Sequence, residues 1–156
     1  MSMRQDTRQD TTPPARLLIK PMAPVYAAVE PYALPLLRIV TGLWFLPHGL
    51  PKVGGFSGTA EFLAGLGYYP GAFWAVVVIL AETVVALMLA VGLLTRLAAL
   101  ILFVHMLNVI AFHWPNGFGN GDNGWEYPGL WAAAILVFLL RGGGYLSADE
   151  AMGREL

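Results

Sequence analysis

The chain has 156 residues, of which 57% are hydrophobic and only 12% charged, against about 25% charged in soluble domains. With a mean hydropathy of +0.62, this excludes an ordinary water-soluble domain. A net charge of −1 leaves no basic field for nucleic acid, and the absence of cysteine removes disulfides, thiolate metal sites, iron–sulfur clusters and cysteine nucleophiles together.

The first 31 residues are polar and proline-rich and carry Arg4, Arg8, Arg16 and Lys20. They hold no apolar core of a cleavable signal peptide. Residues 1–20 read as a mobile polar tail and 21–31 as an interfacial lead-in.

Four apolar segments follow: Tyr32–Leu50, Phe73–Leu94, Leu97–Phe112 and Trp125–Leu140. A spanning helix needs about 20 apolar residues, within a range of about 17–25. The first two segments meet that length, and the third nearly does with His113 and Trp114 at the interface. The fourth has an apolar core of about 12–14 residues, which also fits a re-entrant or protein-buried helix. Charge favours a crossing. With four spans and the N-terminus inside, Arg4, Arg8, Arg16, Lys20, Arg96, Arg141 and Arg154 are cytoplasmic and Lys52 alone is outside, the positive-inside pattern. The expected fold is an all-α integral membrane four-helix bundle over residues 32–146, both termini cytoplasmic, ending in a short tail, 147–156.

The links fit this scheme. Gly92–Arg96 makes an antiparallel hairpin of spans two and three, and Pro70-Gly71 breaks the chain before span two. Residues Ser57–Ala64 read as an interfacial helix with Ser57 as its cap. Gly54-Gly55 and Gly142-Gly143-Gly144 read as chain punctuation.

Ionisable groups inside spans cost about 2.5–3.5 kcal/mol each on insertion scales, so they are candidates for function. At about 1.5 Å rise per residue, Glu82 lies roughly 19 Å from the turn near Leu94, His105 about 16 Å and Asn108 about 20 Å. His48 is roughly 24 Å from Tyr32, and Glu126 about 21 Å from Leu140. Every span thus brings a polar group to the outer half of the bilayer. In span one, Arg38, Thr41, Phe45, His48 and Lys52 share a helical face, and Pro47 bends or ends the helix. Glu82 is the expected partner of Arg38, His48 or His105.

Structural alternatives stand beside these readings. Glu82 with Arg38 makes a structural ion pair, and His105 with Asn108 an interhelical hydrogen-bonded pair. His48 and His113 serve equally as interfacial anchors, and Arg96 and Arg141 as topology determinants. In the loop Pro115–Gly129, Phe118 and Trp125 read as a lid over the bundle mouth. Asn120, Asp122 and Asn123 lack calcium-loop spacing, and no metal site is expected. Haem b between His48 and His105 is chemically open.

The stretches LLRIVTGLWFLPHGLPKVGGF (36–56), AETVVALMLAVGLLTRLAAL (81–100), HWPNGF (113–118), WEYPGLWAAAILVFLL (125–140) and GGGYLSAD (142–149) resemble the DoxX family of small bacterial four-helix membrane proteins. That family is named for a subunit associated with a terminal quinol oxidase and with thiosulfate:quinone oxidoreduction. Its typical polar positions correspond to Arg38, His48, Lys52, Glu82, Arg96, Asn116 and Glu126. The resemblance implies a multi-pass protein of the bacterial inner membrane and a quinone-linked oxidoreductase subunit. On that reading Glu82, His48 and His105 transfer protons, and Arg38, Thr41, Phe45, Asn108 and Glu126 line a quinone pocket. A protein partner carries the electron-transfer centre, and the chain can form a homodimer. The alternatives are a non-catalytic scaffold for redox or stress-response partners, docked on the outer loop, and a small-solute or lipid carrier.

Overall fold

The computed structural model describes residues 18–119 and 123–153, and among them every regular element is helical. The tail expected at 1–20 lies outside the described residues up to position 17. The chain divides into two compact units between Glu30 and Pro31. The first holds the 3-10 turn Lys20–Met22 and the opening residues of α1 (Ala23–Leu43). The contacts described below lie within the second.

Proline and glycine set the helix ends. Pro47 has no N–H to return to the Leu43 carbonyl, so α1 stops there, the chain turns over Trp44 and Phe45, and α2 (Leu46–Gly54) begins. Pro47 then sits in the first turn of α2, where a missing donor costs nothing. Next comes α3 (Phe56–Gly65), whose N-cap is Gly55 with no side-chain bond. The expected cap, Ser57, is already inside this helix, because the turn starts one residue earlier. The third stretch is α4 (Gly71–Leu80), a π-helical turn (Ala81–Val85) and α5 (Ala86–Val91). It ends at Gly92, which takes the left-handed conformation with φ 74°. Then follow α6 (Thr95–His113), α7 (Glu126–Arg141) and the short α8 (Ala148–Met152).

Among the described residues, three stretches are long and apolar enough to cross a membrane: Lys20–Gly54, Gly71–Val91 and Thr95–Asn116. Helix α7 has 16 residues, about 24 Å of rise against a hydrocarbon core of about 30 Å. It packs against α6, and its Ala132, Ile135 and Phe138 share one buried core with Ala98, Ala99, Leu102 and Met106.

Two glycines set the first helical stretch directly on the second. A Cβ on Gly42 would lie 2.5 Å from the Ala86 carbonyl oxygen, and one on Gly49 would lie 2.8 Å from that of Glu82. Small residues of this kind let helix backbones approach closely in membranes.

At the opposite end from α2, polar groups tie the chain together. Arg38 is 1% exposed and donates from Nη1 to the Gly143 carbonyl, from Nη2 to that of Leu146 at 2.8 Å, and from Nε to that of Ala90 at 3.4 Å. Asp149 accepts the Leu94 N–H (2.7 Å), the Thr95 N–H (2.8 Å) and the Thr95 hydroxyl (2.6 Å). Its carboxylate therefore caps the N-terminus of α6, where the helix dipole favours an anion. Burial alone would push this carboxyl up. The hydrogen bonds from Thr95 and Leu94, with the Arg38 charge, outweigh burial and hold it below its usual value.

The triple glycine is more than punctuation: a Cβ on Gly143 would meet Thr95 Oγ1 at 2.7 Å and Ser147 Cβ at 2.8 Å. Residues 147–153, set apart by sequence as a tail, are bound into this knot. Ser147 Oγ accepts the Glu150 N–H at 3.0 Å, capping α8, and the Glu150 carboxylate accepts the Leu146 N–H at 2.8 Å. Ser147→Ala is expected to cost about 1 kcal/mol, the usual worth of an N-cap. Thermal unfolding in detergent micelles checks this, and an unchanged midpoint contradicts it.

Candidate functional site

Glu82 lies in the π-helical turn Ala81–Val85. Such turns occur inside α-helices and are frequent at functional sites. Here Thr83 Oγ1 donates to the Ile79 carbonyl at 2.6 Å, a side-chain bond that competes with the regular ladder. Gly49 lets α2 come down on this turn. The Glu82 carboxylate is thereby held between two other helices: Oε2 is 2.5 Å from Lys52 Nζ of α2, and Oε1 accepts from His105 Nε2 of α6 at 3.1 Å. Lys52 Nζ also donates to the His48 carbonyl at 2.8 Å. A carboxylate only accepts, so His105 carries its proton on Nε2.

This cluster forms one wall of a cavity of about 180 Å³, compared with the roughly 150 Å³ of an apolar cavity that holds benzene. It has room for a single substituted ring. His48, Glu82 and His105 supply the polar wall, and Phe45, Met106 and Trp131 much of the apolar one. Phe45 meets Trp131 edge-to-face at 5.0 Å and lies 6.4 Å from the His105 ring. Val109 and His113 continue the α6 side, and Tyr127 and Pro128 that of α7.

Over the cavity, His113 Nδ1 donates to the Asn123 carbonyl at 2.6 Å, as does Asn116 Nδ2 at 3.1 Å. Trp114 stacks on Trp125 at 5.1 Å, and Phe118 meets the edge of Trp125 at 4.9 Å. Backbone bonds from Trp125 to Gly117 and from Glu126 to Phe118 close the loop base. Asn120 and Asp122, weighed above for calcium, lie outside the described residues.

Of the residues singled out by sequence, Glu82, His48, His105 and Phe45 line one cavity, while Arg38, Thr41, Asn108 and Glu126 are not on its wall. Arg38 bonds the carbonyls at the other end. Sequence spacing puts it on one face with Lys52, but the break over Trp44 and Phe45 leaves Arg38 on α1 and Lys52 on α2. The partners of Glu82 are therefore Lys52 and His105. Thr41 is buried in α1. Asn108 holds the surface, accepting from Tyr68 Oη at 2.9 Å and donating to the Val104 carbonyl at 2.8 Å. Glu126 is exposed at the start of α7.

The sequence reading, which puts Tyr127 in an aromatic belt at the outer face, gives no cavity role to Tyr127, Trp131 or His113. The four-residue steps 105–109–113 and 127–131 carry a signal for all three, since side chains so spaced share a helix face. Among the described residues, no three His, Asp or Glu side chains are placed to hold a metal ion.

A family model described as DoxX matches residues 33–114. The chain is 30% identical over 132 residues to "Inner membrane protein YphA" of Escherichia coli (strain K12), covering 80% of this chain and 94% of that protein. It is 32% identical over 75 residues to "Putative oxidoreductase CatD" of Bacillus subtilis (strain 168), covering 48% of this chain and 54% of that protein. No solved structure matches it.

Proposed function

The chain belongs to the DoxX family, and from that premise we propose that it is a quinone-linked redox subunit of a bacterial inner membrane. One observation carries this reading: a carboxylate held between a lysine and a histidine opens onto an aromatic cavity sized for one ring. A bound quinone supplies a two-electron, two-proton couple. Phe45 and Trp131 hold the ring, and Glu82, His105 and His48 hold protons beside it. The electron-transfer centre belongs to a protein partner.

In this proposal α7 is a fourth, short span and both termini are cytoplasmic. Its support is that the Gly92–Leu94 link and the segment after α7 meet at one end of the bundle, through Asp149 and Arg38. Arg96 and Arg141 adjoin those two links, as the positive-inside pattern requires.

The test is quinone content per protein after mild extraction, in wild type and in folded Glu82→Gln and His48→Ala variants. Near-stoichiometric quinone in wild type, reduced at least tenfold in Glu82→Gln, is expected. Background quinone in all three sinks the reading. A non-catalytic scaffold would then lead, favoured by Trp114 (61% exposed) and Phe118 (58%) on the outer loop.

A further inference from the structure

Resting on the quinone-linked reading, we propose that the ligand carries a long apolar chain and reaches the cavity sideways from the bilayer, through a window between α2 and α7. The ring sits inside and the chain leaves over Trp44. Exposure places the window. Of the residues on the cavity wall, His48 of α2 and Tyr127 of α7 are exposed. Phe45, Glu82, Met106 and Pro128 are buried, and the others are half-buried. The cavity therefore opens where His48 and Tyr127 stand.

Ring contacts give the window its edges. Trp44 and Phe45, in the break between α1 and α2, both meet Trp131 of α7, at 5.9 Å and 5.0 Å. Trp131 lies one turn of α7, about 6 Å of rise, beyond Tyr127 toward the middle of that helix. The Trp44–Trp131 pair is thus the edge nearer the middle of the bilayer. At the loop end the cavity is covered by the His113 bond to the Asn123 carbonyl and by the Trp114–Trp125 stack.

The exterior around the window is apolar. Trp44 is 56% exposed, Leu50 59% and Leu130 67%. Trp44 and Leu50 belong to the stretch Lys20–Gly54, which is long and apolar enough to cross a membrane. Trp and Tyr rings favour the level where acyl chains meet headgroups, which sets the depth of the window. Volume completes the argument. A cavity of about 180 Å³ takes one ring and no chain, so a chain on that ring must leave by the window. Lipid is as apolar as the side chains outside it, and a chain lying over Trp44 stays in its own solvent. A ring arriving from water would need an opening at the loop end instead.

The experiment is photolabelling of the full-length protein in nanodiscs. The probe is a benzoquinone whose decyl chain carries a diazirine close to the ring, and labelled positions are mapped by peptide mass spectrometry. The expected result is label on residues 43–50 and 127–131, reduced at least tenfold by an excess of the same quinone without the diazirine. Competed label elsewhere, on residues 114–118 or on another helix face, overturns the lateral window and leaves the quinone-linked reading standing. Label spread over the exposed spans and untouched by the competitor overturns that reading itself. The wild-type chain decides both.

Discussion

Asp149→Ala is expected to remove most of the folded protein, at a cost of about 3–5 kcal/mol, since each buried donor left without its acceptor costs about 1–3 kcal/mol. Three donors lose their acceptor at once: the Leu94 and Thr95 N–H groups and the Thr95 hydroxyl. Arg38, 1% exposed, also loses the favourable charge of Asp149. Folded yield after membrane extraction and the thermal midpoint in micelles both read this loss, and an Asp149→Ala protein that melts like wild type would refute it.

The pH dependence has a definite sign. The Asp149 carboxyl is held below its usual value in the fold, so folding favours its ionised form. The stability this adds is complete above the ordinary aspartate range of about pH 4. It is lost as pH falls through the lower folded value. Asp149→Asn removes this slope, and its midpoint should change less than that of wild type between pH 5 and pH 3.

How much of this was legible in the sequence follows from what each residue type reports. Pro47 announces a helix end by its own chemistry, and the break over Trp44 and Phe45 follows. Rise per residue put Glu82 and His105 at one depth, and they share a hydrogen bond. Azimuth is less readable. Spacing puts Arg38 and Lys52 on a common face, but the helix breaks between them, and Lys52 is the one that meets Glu82. The knot at the other end was hidden for a different reason. Its contacts link positions 38, 95 and 149, far apart in sequence, and a glycine such as Gly143 shows its role only through what a side chain there would strike. Even so, the Ser147-x-x-Glu150 pattern carries a local capping signal. The π turn has no comparable mark, because Ala81–Val85 reads as ordinary apolar helix.

That hidden turn is where a small substitution should have its second largest effect. Gly49→Leu is expected to lower bound quinone to background while the chain still inserts. A Cβ at position 49 meets the Glu82 carbonyl oxygen and Thr83 Cγ2, both at 2.8 Å, and the Glu82 carbonyl carbon at 2.9 Å. Two of these atoms are backbone inside a helical stretch and cannot yield, so α2 must withdraw. Overpacking by a few methylenes costs about 1–3 kcal/mol.

The larger consequence is geometric. Lys52 stands three residues along α2 from Gly49, and withdrawal of that helix carries its ammonium away from Glu82 Oε2. Gly49→Ala should show the same loss in smaller degree. Gly54→Ala is the contrast, because a Cβ there meets nothing within 4 Å. That change should leave quinone content intact and stabilise α2 by about 0.5–1 kcal/mol. Full retention of quinone in Gly49→Leu would mean that close approach of α2 to the π turn does not build the site, and Lys52 would lose its place in it. Loss in Gly49→Leu with retention in Gly54→Ala would tie the cavity's chemistry to one missing side chain, on the face where two helices meet backbone to backbone.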